Sequence, residues 1–180
     1  MGGLDERAKR IIQRGREHPE VRIESLEGRA GRVISARLRP GTDLITGLKE
    51  LVGRHRIAAG AVTVCFGSLA RAEVTWTEGS KPDPKKQAER LRLDGPLSFL
   101  SSQGKVGMSE NGGALVHLHG ILSDLDGRLW GGHFHDGNNP VFSTFEVVIH
   151  EILDVRHTRI WDDESETKLI KAVPLESRLK

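Results

Sequence analysis

Residues 115–135, LVHLHGILSDLDGRLWGGHFH, decide how this chain is read, because four of its eight histidines fall inside them. The first half alternates with period two, so it reads as a strand from which His117 and His119 leave on the same face. Asp124-Leu125-Asp126-Gly127-Arg128 then reads as a hairpin loop, a type I turn closed by Gly127 in the left-handed conformation as a G1 bulge. With Asp124 paired to Arg128, counting back sets His119 opposite His133 and His117 opposite His135. Cross-strand partners project from one face, so four imidazoles are expected in a single patch. A four-residue loop without the bulge would set His133 against Leu118 instead, and the register therefore rests on Gly127. Gly131 and Gly132 precede His133, and glycine inside a strand is unfavourable unless the chain bends or another group approaches closely. Neutral imidazole is the commonest protein metal ligand, and three histidines with an open position are a known catalytic zinc arrangement. The hairpin is the expected metal site; the competing expectation is an edge hairpin with solvent-facing, pH-sensitive histidines.

Working outward, 180 residues are enough for one domain with extensions and a core that needs no disulfide. Cys65, the only cysteine, sits in the apolar run AAGAVTVCFG and reads as a buried thiol of a cytoplasmic protein. No stretch reaches the roughly 18 apolar residues of a membrane span, and MGGLDERAKR lacks a signal-peptide core. The net charge of +2 is uneven, with ten Lys/Arg against six Asp/Glu in residues 1–40. That excess is too small to establish a nucleic-acid partner, and a chain without tyrosine is a poor stacking platform for single strands.

Residues 4–17 read as an amphipathic helix stopped near Pro19, with Leu4, Ala8, Ile11 and Ile12 on one side. Within it Arg14-Gly15-Arg16 has the core of an AT-hook, which makes Arg14 and Arg16 the candidate DNA contacts. Glu17 stands where the hook needs proline. Arg32–Arg39 alternates as a strand with Ile34, Ala36 and Leu38 inward. Leu44, Ile45, Leu48, Leu51 and Val52 then form the apolar stripe of the main core helix, capped by Asp43 or Thr42. Runs 58–67 and 69–77 read as two strands with Gly67-Ser68 as their turn. Residues 78–89 read as a surface loop, and strand-like runs resume at 91–93 and 97–101. Gly104-Lys105 is not a phosphate loop, since Phe99 and Val106 occupy its required positions. Val141–Leu153 reads as a long central strand, and His150-Glu151 is not a zincin motif, since Asp154 replaces the second histidine. Two short strands around Asp162–Glu166 end the chain. One core helix amid eight to ten strands predicts an α+β domain around a mostly antiparallel sheet. The expected units are an extension over 1–31, a domain over 32–173 and a tail over 174–180.

Over residues 32–172 the chain resembles the plants-and-prokaryotes-conserved domain, written PPC or PCC. The matching pieces run in order: RLRPGTDLITGLKELVGRHRI, VCFGSLARAEV, LSFLSSQGKVG, HLHGILSDLDGRLWGGHF and FEVVIHE, then Arg159 and the terminal strand. The resemblance implies a compact fold assembling as a homotrimer. It also implies, as in prokaryotic members, zinc or another divalent metal held by His117, His119 and His133. His135 lies outside that pattern and is expected beside the ligands rather than among them. Plant relatives join the domain to AT-hooks and regulate transcription, which implies a DNA-binding or regulatory role. The alternative is a zinc-dependent enzyme or small-molecule binder, for which Glu146 and Asp136 are the candidate acid or base groups.

Overall fold

The computed structural model describes residues 6–75, 90–109 and 111–175. They form helices α1 (Glu6–Glu17) and α2 (Leu44–His55) and eight strands: β1 (Arg29–Leu38), β2 (Ala59–Thr75), β3 (Leu91–Met108), β4 (Ala114–Ser123), β5 (Leu129–Phe134), β6 (Val141–Leu153), β7 (Val155–Asp162) and β8 (Thr167–Pro174). Val, Ile and Phe suit a pleated, half-buried surface, and β6 follows from that composition. Its Phe145, Val147 and Ile149 face the core while Glu146 and Val148 alternate outward. It lies between β1 and β2 in an antiparallel sheet of order β1-β6-β2-β3-β4-β5. The sheet curls far enough for β5 to return to the end of β2, pairing Val74 with Phe134 and Thr75 with His133. β7 and β8 form a separate two-stranded sheet, with α1 tied to its turn by the Arg10 to Glu166 ion pair.

Helix α2 closes the core on one side of the sheet by burying Leu44, Ile45, Leu48 and Val52. Asp43, rather than Thr42, is the N-cap: its Oδ1 accepts from Thr46 N at 3.0 Å and its Oδ2 from Asn139 N at 2.9 Å. One carboxylate thus satisfies a free helix donor and pins the turn that follows β5. Cys65 is buried, and burial pushes its thiol up to about 12, as expected of an inert packing residue. No described helix is long and apolar enough to cross a membrane.

Three elements differ from the sequence expectation. Gly67-Ser68 is not a turn, because β2 runs unbroken through it from Ala59 to Thr75. A Cβ on Gly67 would stand 2.3 Å from the Thr144 carbonyl oxygen, so this glycine serves the close approach of β6. The runs at 91–93 and 97–101 are likewise one strand, β3, whose pairing with β2 slips between Leu69 and Arg71. β1 begins at Arg29, ahead of the expected Arg32, although Ile34 and Leu38 point inward as read. Leu4 and the loop at 78–89 lie outside the described residues.

Replacing Asp43 with alanine removes both acceptors of the cap. Urea unfolding should show a loss of about 1–2 kcal/mol with an unchanged slope, at the upper end of the range for a single lost N-cap.

Candidate metal centre

The centre is built on the β4–β5 hairpin. Asp124 N–H donates to Arg128 O at 3.1 Å and Gly127 N–H to Asp124 O at 3.1 Å, with Gly127 at φ 77°. The Asp124 carboxylate accepts from the backbone of Asp126 and Arg128 at 3.0 and 2.9 Å and from Trp130 Nε1 at 2.9 Å. Trp130 first, then those backbone donors, holds the Asp124 carboxyl below the usual carboxylate range. The turn therefore delivers the expected register, with His119 opposite His133. On β4 the residues Val116, Leu118, Gly120 and Leu122 are buried, so His117 and His119 leave on the outer face. Their Nε2 atoms lie 3.0 Å apart.

His133 is positioned from two sides, by β4 and by the end of β2. A Cβ on Gly132 would lie 2.5 Å from the Thr75 carbonyl oxygen, so the glycine ahead of His133 admits β2. The rings of His117, His119 and His133 form a near-equilateral triangle, with centroids 5.0, 4.9 and 5.1 Å apart. One nitrogen from each lies within 4.8 Å of the others, the spacing of a ligand set. Among the described residues, His133 Nδ1 is buried and has no hydrogen-bond partner. Burial, then the charges of His135, His117, His119 and Arg159, pushes the His133 ring down to about 3. Neutral imidazole is the ligand form, and an all-imidazole donor set suits zinc and its divalent neighbours. The residues present fit a metal ion.

The remaining candidates are placed differently. His135 lies past the end of β5, its ring 4.6 Å from that of His133 and its Nε2 3.0 Å from Thr75 Oγ1. It sits beside the three-histidine group without being one of its members. Asp136 is paired with Lys49 at 2.6 Å. Glu146 is on β6, where it accepts from Thr144 Oγ1 at 2.8 Å and stands 4.0 Å from Arg37. Arg14 donates to the carbonyls of Asp163 and Glu164 and pairs with Glu166 at 3.2 Å, while Arg16 is exposed. Sequence reasoning missed Thr75, Lys49 and Arg159, whose places depend on contacts between distant strands. Of these only Arg159 had any signal, as a residue of the family pattern.

The model of the Plants and Prokaryotes Conserved (PCC) domain matches residues 25–153. The bifunctional protein GlmU of a Synechococcus strain is 32% identical over 128 residues, 71% of this chain. The chain spans only 18% of the length of that protein and of its counterpart in a second Synechococcus strain. Among solved structures, a metal-containing protein from Archaeoglobus fulgidus aligns at TM-score 0.69 and 25% identity, covering 83% of this chain and 99% of that one. A plant- and prokaryote-conserved protein from Pyrococcus horikoshii aligns at TM-score 0.69 and 21% identity, covering 85% and 100%.

The depressed His133 changes what acid should do to the metal-free protein, which the unperturbed histidine range alone would leave almost unaffected. The unfolded chain protonates this ring near about 6.5, whereas the folded chain resists until about 3. Below 6.5 the unfolded state binds the extra proton, so stability falls as pH drops through that window. Melting of chelator-treated protein from pH 7.5 to 4 should show the decline, and His133→Gln should flatten it.

Proposed function

Because the chain belongs to the Plants and Prokaryotes Conserved (PCC) domain family, we propose that it is a homotrimeric metal-binding protein holding zinc, or a similar divalent ion, on His117, His119 and His133. The observation that carries this reading is the convergence of three imidazole nitrogens within 4.8 Å, one of the rings having a buried nitrogen with no partner among the described residues. The likeness to the Archaeoglobus metal-containing protein supports it. A bound divalent ion would supply Lewis acidity at the position that three ligands leave open. The acid or base that an enzyme would add has less support, since Asp136 is engaged by Lys49 and Glu146 by Thr144. A small-molecule or structural role for the site is accordingly favoured over hydrolysis. Association with DNA draws less support still, because Arg14 is spent on the β7–β8 turn.

The trimer has a basis in the sheet. Val33, Val64, Phe66 and Phe142 all point away from the core from neighbouring strands β1, β2 and β6, and Phe66 and Phe142 are about half exposed, at 48% and 53%. Large apolar side chains exposed on one sheet face, here interrupted by Arg37, Thr144 and Glu146, suit an interface, and copies of one chain with cyclic symmetry are the usual occupants.

Elemental analysis of protein purified without added metal should find one ion per chain. His117→Ala and His133→Ala should each abolish it, whereas His135→Ala should leave it nearly intact; equal loss in all three would replace the three-ligand set with four. Light scattering at micromolar concentration should give a trimer, and Phe66→Glu should shift it toward monomer without reducing metal content.

A further inference from the structure

A cavity of about 190 Å³ opens beside His133 and His135, lined by these two histidines, Lys49, Asp136 and Arg159 together with an apolar wall that includes Ile45 and Val116. Its charges do not balance. Lys49 and Asp136 neutralise each other at 2.6 Å, and His135 is turned to Thr75. Arg159 is exposed on β7, and among the described residues no carboxylate pairs with it. Its charge nevertheless acts on His133. Three neutral imidazoles bring no negative charge to a divalent ion, so a filled centre next to Arg159 carries three positive charges, and the one acid lining the cavity among the described residues, Asp136, is already paired with Lys49. A cleft of net positive charge concentrates anions. Guanidinium matches the fork of a carboxylate through paired hydrogen bonds. The volume is below the roughly 300 Å³ at which drug-sized ligand sites begin, and part of the wall is hydrocarbon.

We propose that this cavity binds a small aliphatic carboxylate, its acid group held by Arg159 beside the metal centre and its hydrocarbon end against Ile45 and Val116. The proposal rests on the three-histidine metal reading and names the class of ligand that the centre takes. Arg159 selects the charge, and the apolar wall selects the tail. The Lys49 to Asp136 pair borders the cavity without supplying a second cation.

Cobalt(II)-loaded protein reports on this directly, since its visible bands respond to ligands at the metal, and calorimetry of the zinc form gives affinities for the same probes. Butanoate should bind the loaded protein one to one, more tightly than acetate, and the metal-free protein far more weakly. Arg159→Met should keep full metal content while losing at least tenfold in butanoate affinity. Arg159→Lys, which keeps the charge without the fork, should fall between. Unchanged affinity in Arg159→Met, no binding to fully loaded protein, or acetate binding as tightly as butanoate would each overturn the proposal while leaving the metal reading intact. Failure of the chain to take up metal at all would remove both, and metal content measured beforehand separates the two failures.

Discussion

The constraint on which the rest depends is the register of the β4–β5 hairpin, fixed by the carboxylate of Asp124 inside its own turn. Side chains alternate along a strand, so a slip of one residue would exchange the faces of His133 and Phe134. Phe134 packs into the core against Phe99, whose ring in turn meets Phe145 of the central strand, at centroid distances of 5.1 and 4.9 Å. Full burial of a phenylalanine is worth about 1.5–3 kcal/mol, and the slip would forfeit it. The same aromatic anchor that completes the core therefore aims His133 at His117 and His119. Core packing and the ligand set are one constraint seen from the two faces of a strand.

What sequence could show follows from how local each determinant is. The hairpin was legible because its turn chemistry, alternation and register all lie within residues 115–135, and the central strand because its composition leaves no other element. The turn expected at Gly67-Ser68 was misread because glycine there has two physical uses that look alike in one dimension. It permits reversal of a chain, and it permits close approach of a neighbour; the Thr144 carbonyl makes it the second. The return of β5 onto β2 could not be read at all, since Thr75 and His133 are joined only by curling of the whole sheet. Arg159 reaches the site by a comparable long route, through β7. The candidate metal ligands were accessible to pattern reasoning, whereas the groups around them came from tertiary contacts.

The two faces of the sheet divide the work of the molecule. One face receives α2 and the buried rows of β4 and β6, and a single helix is enough to close it. The other carries His117 and His119 in the same alternation that exposes Ile121, and continues across the strands to the apolar surface at Val64 and Phe66. The candidate metal ligands and a candidate assembly surface thus share one face. Whatever packs there changes the solvent access of the imidazoles, and the local dielectric with it.

His157 shows what an ordinary buried histidine looks like in this fold, and it is the comparison against which His133 has to be judged. Both are drawn toward the neutral form by burial. The Nδ1 of His157, however, meets the Val106 carbonyl oxygen at 3.0 Å, so its polar atom is satisfied within the chain. Among the described residues the Nδ1 of His133 is buried without such a partner, and a buried polar group left unpaired costs about 1–3 kcal/mol. Packing gives no reason to sustain that cost, because a leucine or phenylalanine at 133 would avoid it on the same backbone. An unpaired neutral nitrogen is destabilising as core packing, and with one nitrogen from each of three rings within 4.8 Å of the others, the hairpin fits a candidate ligand set better than a cluster of surface histidines.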